Sequence, residues 1–226
     1  DPHHPFDAPE PWSRLHAPEE VDLPEHRTRD FEGRPWWHEA VMTSEPAGEA
    51  EHANIRKNYS RIPPQSDAQL REIIANTYGQ IALIDHQVGR LMNCLDEMGL
   101  AENTIIVYAS DHGDWLGDHG LVLKGPMHYE GLLRVPLIMR GPGVPADTIN
   151  DNPVSTMDLA ATFTDYGGAT PLLPQHAASL KPVVEGREQR DYTRNEWGLL
   201  PTRAGVELSL QTVRTRTMKL TKDMIS

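Results

Sequence analysis

Residues 66–111 read SDAQLREIIANTYGQIALIDHQVGRLMNCLDEMGLAENTIIVYASD, and a change of period inside this stretch decides the fold. Ser66-Asp67-Ala68-Gln69 has the form of a capping box, in which a hydroxyl and a glutamine three residues on satisfy main-chain N–H groups reciprocally. Leu70, Ile73, Ile74, Tyr78, Ile81, Ile84, Val88, Leu91, Leu95 and Met98 then follow at helical spacing, and Gly99 supplies a stop. The spacing predicts one long amphipathic helix. From Thr104 to Ser110 the period is lost in a continuous run, Ile105-Ile106-Val107-Tyr108, which predicts a strand buried on both faces. A long helix leading into a buried strand implies an α/β layered fold.

Working outward, Val135-Pro136-Leu137-Ile138-Met139 reads as a second, shorter strand, with Pro136 near its start, where a missing donor is tolerated. Ser155 to Tyr166 reads as a helix capped by Ser155, with Asp158 at its third position and Gly167-Gly168 behind it. Beyond residue 170 the signal weakens. Pro171, Pro174 and Pro182 mark a connection, and Val206–Leu210 with Thr212–Leu220 suit a hairpin or two sheet strands. Upstream of the long helix, prolines recur from Pro2 to Pro64 and no helical or strand period survives. That segment is expected to be extended, with short helices at most, and pinned to a surface by Phe6, Trp12, Phe31, Trp36 and Trp37. The expected organisation is a draped segment over 1–65, an α/β part over 66–170, and a connection with the start of a smaller C-terminal sheet over 171–226.

Composition narrows the function classes. At about 150 residues per domain, 226 residues suggest one core and part of another, as in the interior of a longer protein. Hydrophobic residues at 38% and charged residues at 24% fit a globular chain and exclude coiled coil, collagen and wholesale disorder. The 21 Lys and Arg against 33 Asp and Glu leave a net charge of −12, which is no footprint for nucleic acid. Runs such as Ile105-Ile106-Val107 fall far short of the roughly 20 residues of a membrane span. The single Cys94 points to a reducing compartment and, on the apolar helix face, to a packing role. The opening Asp1-Pro2-His3-His4 lacks the layout of a signal peptide, so such a segment would lie upstream. Composition leaves a homo-oligomer open.

Chemistry concentrates after the predicted strand, in Ser110-Asp111-His112-Gly113-Asp114-Trp115-Leu116-Gly117-Asp118-His119-Gly120. In open α/β sheets, ligands bind at the carboxyl ends of strands, so Asp111 and His112 are candidate metal ligands. The competing reading makes Asp111 a helix cap and His112 a polar loop residue. A calcium loop of the EF-hand type does not fit, because Trp115 stands where that loop needs an oxygen ligand. Lys124, next to Gly125, would deliver a point charge to an anionic oxygen; otherwise it is a solvated surface lysine. His119 and His128 either face a substrate or solvate the loop, and Arg134 is expected to anchor the loop through charged hydrogen bonds.

Four ordered blocks decide between these readings. Pro2-His3-His4-Pro5-Phe6, Ile84-Asp85-His86-Gln87-Val88-Gly89-Arg90, Ser110-Asp111-His112-Gly113 with Leu116-Gly117-Asp118-His119-Gly120, and Lys124-Gly125 through Tyr129-Glu130-Gly131 to Arg134-Val135-Pro136 together resemble the sulfatase family of the alkaline phosphatase superfamily. The resemblance implies an α/β fold with a mixed, mostly parallel sheet sandwiched by helices, and hydrolysis of a small-molecule sulfate ester, with phosphonate or phosphodiester hydrolysis as the alternative within the superfamily. It implies a divalent metal on Asp111 and His112, calcium by family habit, with manganese or zinc suggested by the imidazole. It implies Lys124 and His3 as catalytic groups that contact the sulfuryl or phosphoryl oxygens. The family's nucleophile, a Cys or Ser in Cys/Ser-x-Pro-x-Arg matured to formylglycine, has no counterpart here and is expected upstream. A reading from a different class, a non-catalytic module binding partners through Trp36-Trp37, follows from that absence.

Overall fold

The computed structural model describes residues 3, 5–45, 47–48, 65–171, 176–201 and 205–226. Pro2 and His4 of the upstream block, Pro46, Pro174 and the stretch 49–64 lie outside the described residues. The chain divides into two compact units, one of Asp1–Ala101, His112–Arg134 and Leu200–Val206, the other of Glu102–Asp111, Val135–Leu199 and Glu207–Ser226.

In the first unit, short 3-10 turns at Trp12–Arg14 and Pro18–Glu20 precede helix α1 (Trp36–Thr43) and the long helix α2 (Asp67–Glu97). The capping box forms as expected: the Gln69 N–H donates to Ser66 Oγ at 3.3 Å, and the Ser66 N–H to Gln69 Oε1 at 3.1 Å. Leu70, Ile74 and Ala75 on the first turns of α2 pack with Val21, joined by Leu23, Leu116 and Val122. Burying side chains of this size contributes about 1.5–3 kcal/mol each. The Arg71 guanidinium donates to the Val21 carbonyl and ties the proline-rich segment to the helix. Gly79 permits the closest approach of that segment, since a Cβ there would lie 2.5 Å from the Trp12 carbonyl oxygen.

The later turns of α2 depart from expectation. Tyr78, Ile81, Leu91 and Met98 continue the apolar period yet are exposed, Leu91 at 67%, and Cys94 is exposed rather than packed. Period predicts which face is apolar; burial requires a covering element, and the segments packed on α2 leave its last turns bare. The aromatic pins also divide, Trp37 being buried while Trp36 is 49% exposed.

In the second unit, β1 (Ile106–Ala109) pairs antiparallel with β2 (Leu137–Arg140), Ile106 facing Arg140 and Ala109 facing Leu137. The α/β class stands, but the pairings among the described residues are antiparallel, because strand direction follows the path of the connection and not the hydrophobic period. β1 is shorter than predicted and half-buried throughout, since a two-stranded ribbon does not enclose its strands. Helix α4 (Asp158–Tyr166), numbered after the short α3 (Glu130–Leu133) of the first unit, begins later than predicted. Ser155 and Asp158 satisfy each other first: the Ser155 N–H donates to Asp158 Oδ2 at 3.0 Å, and the Asp158 N–H donates to the Ser155 carbonyl at 3.0 Å. Asp158 therefore opens the helix instead of sitting at its third position.

Helix α5 (Lys181–Val184) leads to a sheet of β3 (Tyr192–Leu199), β4 (Leu208–Thr215) and β5 (Lys219–Asp223), antiparallel in that order. β4 runs unbroken through Gln211, and the reversal falls after Thr215, whose side-chain oxygen accepts from the Met218 N–H at 2.9 Å. The predicted hairpin was thus displaced by several residues. β3 escaped the sequence reading because Thr193 and Asn195 on its inner face are as polar as Arg194 and Glu196 on its outer face. Among the described residues no helix is long and apolar enough to cross a membrane.

Candidate active site

The site residues of the first unit ride on the loop from His112 to Arg134, which is built around backbone that most side chains avoid. Leu116, His119 and Leu123 all have positive φ, at 45°, 54° and 69°. Each such residue costs of order 1–2 kcal/mol, so the surroundings must hold it. At the loop's mouth the Gly113 N–H donates to the Leu132 carbonyl at 2.8 Å, and a Cβ on Gly113 would lie 1.9 Å from the Gly131 carbonyl oxygen. Only glycine fits. Trp115 is buried with Leu121, Met127 and Leu132, and its indole N–H donates to the Met127 carbonyl at 3.2 Å.

Asp114 closes the inner ring of this loop. Its Oδ1 accepts the Leu116 N–H at 2.9 Å and the Leu123 N–H at 2.8 Å, while the Trp115 N–H donates to the Leu123 carbonyl at 3.1 Å. Burial pushes the Asp114 carboxyl up; the two amides and the charges of His112 and Lys124 oppose that rise. Sequence reasoning passed over Asp114. The signal available was an Asx turn, an aspartate accepting from the residue two further on.

Lys124 leaves the ring with its Nζ 3.2 Å from His3 Nε2, so two basic groups 121 residues apart meet. His3 reaches that place because Gln80, buried on α2, donates from Nε2 to the carbonyls of His3 at 3.4 Å and Pro5 at 3.2 Å. Gln80 was likewise missed; at sequence level it is one polar residue on a helix. His112 opens the same loop, half-buried, with Nδ1 2.8 Å from the Gly113 carbonyl. A proton on that Nδ1 leaves the lone pair on Nε2, the tautomer a metal-ligating histidine uses. Asp111 is exposed and ends the stretch belonging to the second unit. Among the described residues no three His, Cys, Asp or Glu side chains gather as a metal site would require.

The other loop histidines are packed rather than solvated. His128 is buried, and His119 stacks on the Tyr129 ring at 3.7 Å with 15° between planes. The Tyr129 hydroxyl lies 3.4 Å from Nδ1 of the buried His38. Burial, then the charges of Arg34, His119 and His128, push the His38 imidazole down to about 4. His38 is therefore a neutral core imidazole. Arg134 does not anchor the loop as expected: it is exposed, and its side chain makes no hydrogen bond among the described residues.

Comparison with known proteins shows the family of the chain. The Sulfatase family model matches residues 1–169. An arylsulfatase of Clostridium perfringens is 31% identical over 202 residues, covering 86% of this chain and 38% of that protein. The N-acetylglucosamine-6-O-sulfatase of Bacteroides thetaiotaomicron is 39% identical over 117 residues, 50% of this chain and 21% of its own length. Among solved structures, the phosphonate monoester hydrolase SpPMH from Silicibacter pomeroyi superposes with a TM-score of 0.74 at 23% identity, over 100% of this chain and 48% of that one. This last likeness establishes the shared fold. The chain spans well under half the length of the curated relatives it matches.

Proposed function

Because the chain belongs to the sulfatase family, we propose that it carries part of the active centre of a hydrolase acting on small-molecule sulfate esters. The convergence of Lys124 and His3 at 3.2 Å is the observation that carries this reading. An anionic ester oxygen entering between the two nitrogens takes hydrogen bonds from both. Each is a donor aimed where negative charge accumulates as the sulfur–oxygen bond breaks. Lys124 supplies a fixed positive charge at Nζ and donates to His3 Nε2 before substrate enters; once an ester oxygen takes that lysine N–H, the Nε2–H tautomer of His3 serves to donate to the leaving-group oxygen.

Asp111 and His112 fit a divalent metal in donor chemistry, a carboxylate oxygen and an imidazole nitrogen, and supply part of a ligand set. Calcium is the family's choice, and manganese or zinc suits the imidazole better. When bound, such an ion polarises the ester oxygens as a Lewis acid. The orientation of His112 through the Gly113 carbonyl is this chain's own contribution to that site.

Steady-state assays on the full-length protein, with an aryl sulfate and an aryl phosphonate ester side by side, test the reading. Lys124→Ala and His3→Ala should each lower kcat/KM by about 10²–10³. Wild-type turnover in the double variant overturns the reading. A larger kcat/KM on the phosphonate ester moves the assignment to the phosphonate and phosphodiester hydrolases of the superfamily.

A further inference from the structure

We infer that Asp114 is a positioning residue that sets the place of Lys124, and that it does so through hydrogen bonds to the main chain. One carboxylate oxygen holds two amides seven residues apart, Leu116 N–H at 2.9 Å and Leu123 N–H at 2.8 Å. The second amide belongs to the residue directly before Lys124. The carbonyl of Leu123 is taken as well, by the Trp115 N–H at 3.1 Å. Both main-chain polar groups of Leu123 are therefore fixed by residues 114 and 115, one through the Asp114 side chain and one through the Trp115 N–H, and Leu123 is held at φ 69°, where a leucine does not rest unaided.

The direction in which the chain enters Lys124 is decided at that residue. A four-carbon side chain on a free loop samples many rotamers, and only a defined starting point brings its Nζ to 3.2 Å from His3. An ordinary Asx turn would need only the Leu116 bond. The Leu123 bond ties the turn to the functional lysine, and it sets this aspartate apart from a loop-closing residue. Displacing a charge-stabilising group by about 1 Å costs up to about 10²-fold in rate, so a residue that never touches substrate can still govern kcat.

The inference rests on the assignment of Lys124 to the ester oxygens, and kinetics of the full-length protein separate the two. Asp114→Ala should lower kcat by about 10- to 100-fold, with KM within about twofold. Asp114→Asn keeps a side-chain oxygen for both amides and should stay within about threefold of wild type. Asp114→Glu keeps the charge but moves the acceptor by one methylene, and should lose kcat as the alanine variant does. In a Lys124→Ala background, Asp114→Ala should change residual activity by less than about twofold, since its effect passes through the lysine. The His3 imidazole signals in NMR spectra should shift in D114A and D114E and hold their place in D114N, a readout independent of turnover. Wild-type kcat in D114E overturns the inference, as does a D114N defect equal to that of D114A, which would make charge the operative property. If Lys124→Ala is itself fully active, the assignment of Lys124 falls first. The His3 signals then decide the positioning role alone.

Discussion

Asp158 and Asp114 both turn a carboxylate onto main-chain amides, and they are otherwise satisfied in different ways. Asp158, in the second unit, accepts the Ser155 and Ala178 N–H groups at 3.0 and 3.2 Å and pairs with Arg190 at 2.7 Å, where both side chains are about nine-tenths buried. Asp114, in the first unit, accepts two main-chain amides and has no cation at ion-pair distance among the described residues. The nearby cation, Lys124, is directed to His3 instead. A carboxylate that only fastens structure can take a guanidinium for itself. Asp114 works through amides and leaves Lys124 to His3.

The largest effect should come from breaking the paired carboxylate. Asp158→Ala takes the buried carboxylate from Arg190 and leaves it the more exposed Glu188 at 2.9 Å on Nε; losing one partner of a buried pair costs about 3–5 kcal/mol, and Glu188 brings the expected loss to the low end of that range. The bonds from Arg190 to the Ala178 and Ser179 carbonyls, at 3.2 and 2.9 Å, would retain part of its anchoring. Urea unfolding measures the loss; a change below about 1 kcal/mol would remove the contrast between the two aspartates.

Asp114→Ala should be milder in stability. Two amides each lose a hydrogen bond to a charged group, at about 1–3 kcal/mol apiece before water takes the place of the half-buried carboxylate, and no buried cation is stranded. Lys124→Ala should shift stability by no more than about 0.5 kcal/mol, as for a surface substitution. If Lys124→Ala destabilises as much as Asp158→Ala, Lys124 is a structural partner of Asp114 and the distinction collapses.

The units should also separate by pH. His38 is held down to about 4, below its unfolded value of 6.5, first by burial and then by Arg34, His119 and His128, with the Tyr129 hydroxyl beside it. Its contribution to stability is complete above 6.5 and is lost as pH falls towards 4. In the second unit the Asp223 carboxyl is held below its usual 3.8 by the Ser209 N–H and the Ser226 hydroxyl, and Asp165 by Ser179 and then Lys181. Those contributions persist above 3.8 and fade only below it. Hydrogen exchange, corrected for intrinsic rates, should show protection of residues 112–134 falling by about pH 5 while residues 208–223 remain protected. His38→Asn should flatten the first step. Simultaneous loss in both regions, unchanged in that variant, defeats the assignment.

How much of this was legible follows from what each signal encodes. The capping box at Ser66 and the stop at Gly99 are local, and local chemistry set them where the sequence placed them; the strand formed at 106–109, inside its predicted run but shorter. Burial was not local: Leu91 and Leu70 occupy the same apolar period, yet one is 67% exposed and the other 3%. Asp111, His112 and Lys124 were candidates from position and residue type, but family resemblance decided their roles and added His3, since no spacing rule links residues 3 and 124. The residues that bring such a pair together, Asp114 and Gln80, act on main-chain atoms. Their partners are therefore invisible in side-chain patterns.

Gln80 offers the smallest and most selective change. It works as Asp114 does, on backbone, but from a rigid helix instead of a strained loop. Its Nε2 bonds to the His3 and Pro5 carbonyls are long, at 3.4 and 3.2 Å, so Gln80→Ala should cost only about 1 kcal/mol in urea unfolding. The helix loses nothing, because alanine is the better helix former. What should change is the anchoring of His3, and with it the contact to Lys124 that the helix holds from the opposite side to Asp114. The expected outcome is a near-wild-type unfolding midpoint with a kcat reduced several-fold. Combining Gln80→Ala with His3→Ala should add nothing further. Additive losses in that double variant would mean that Gln80 supports the site by some path other than His3.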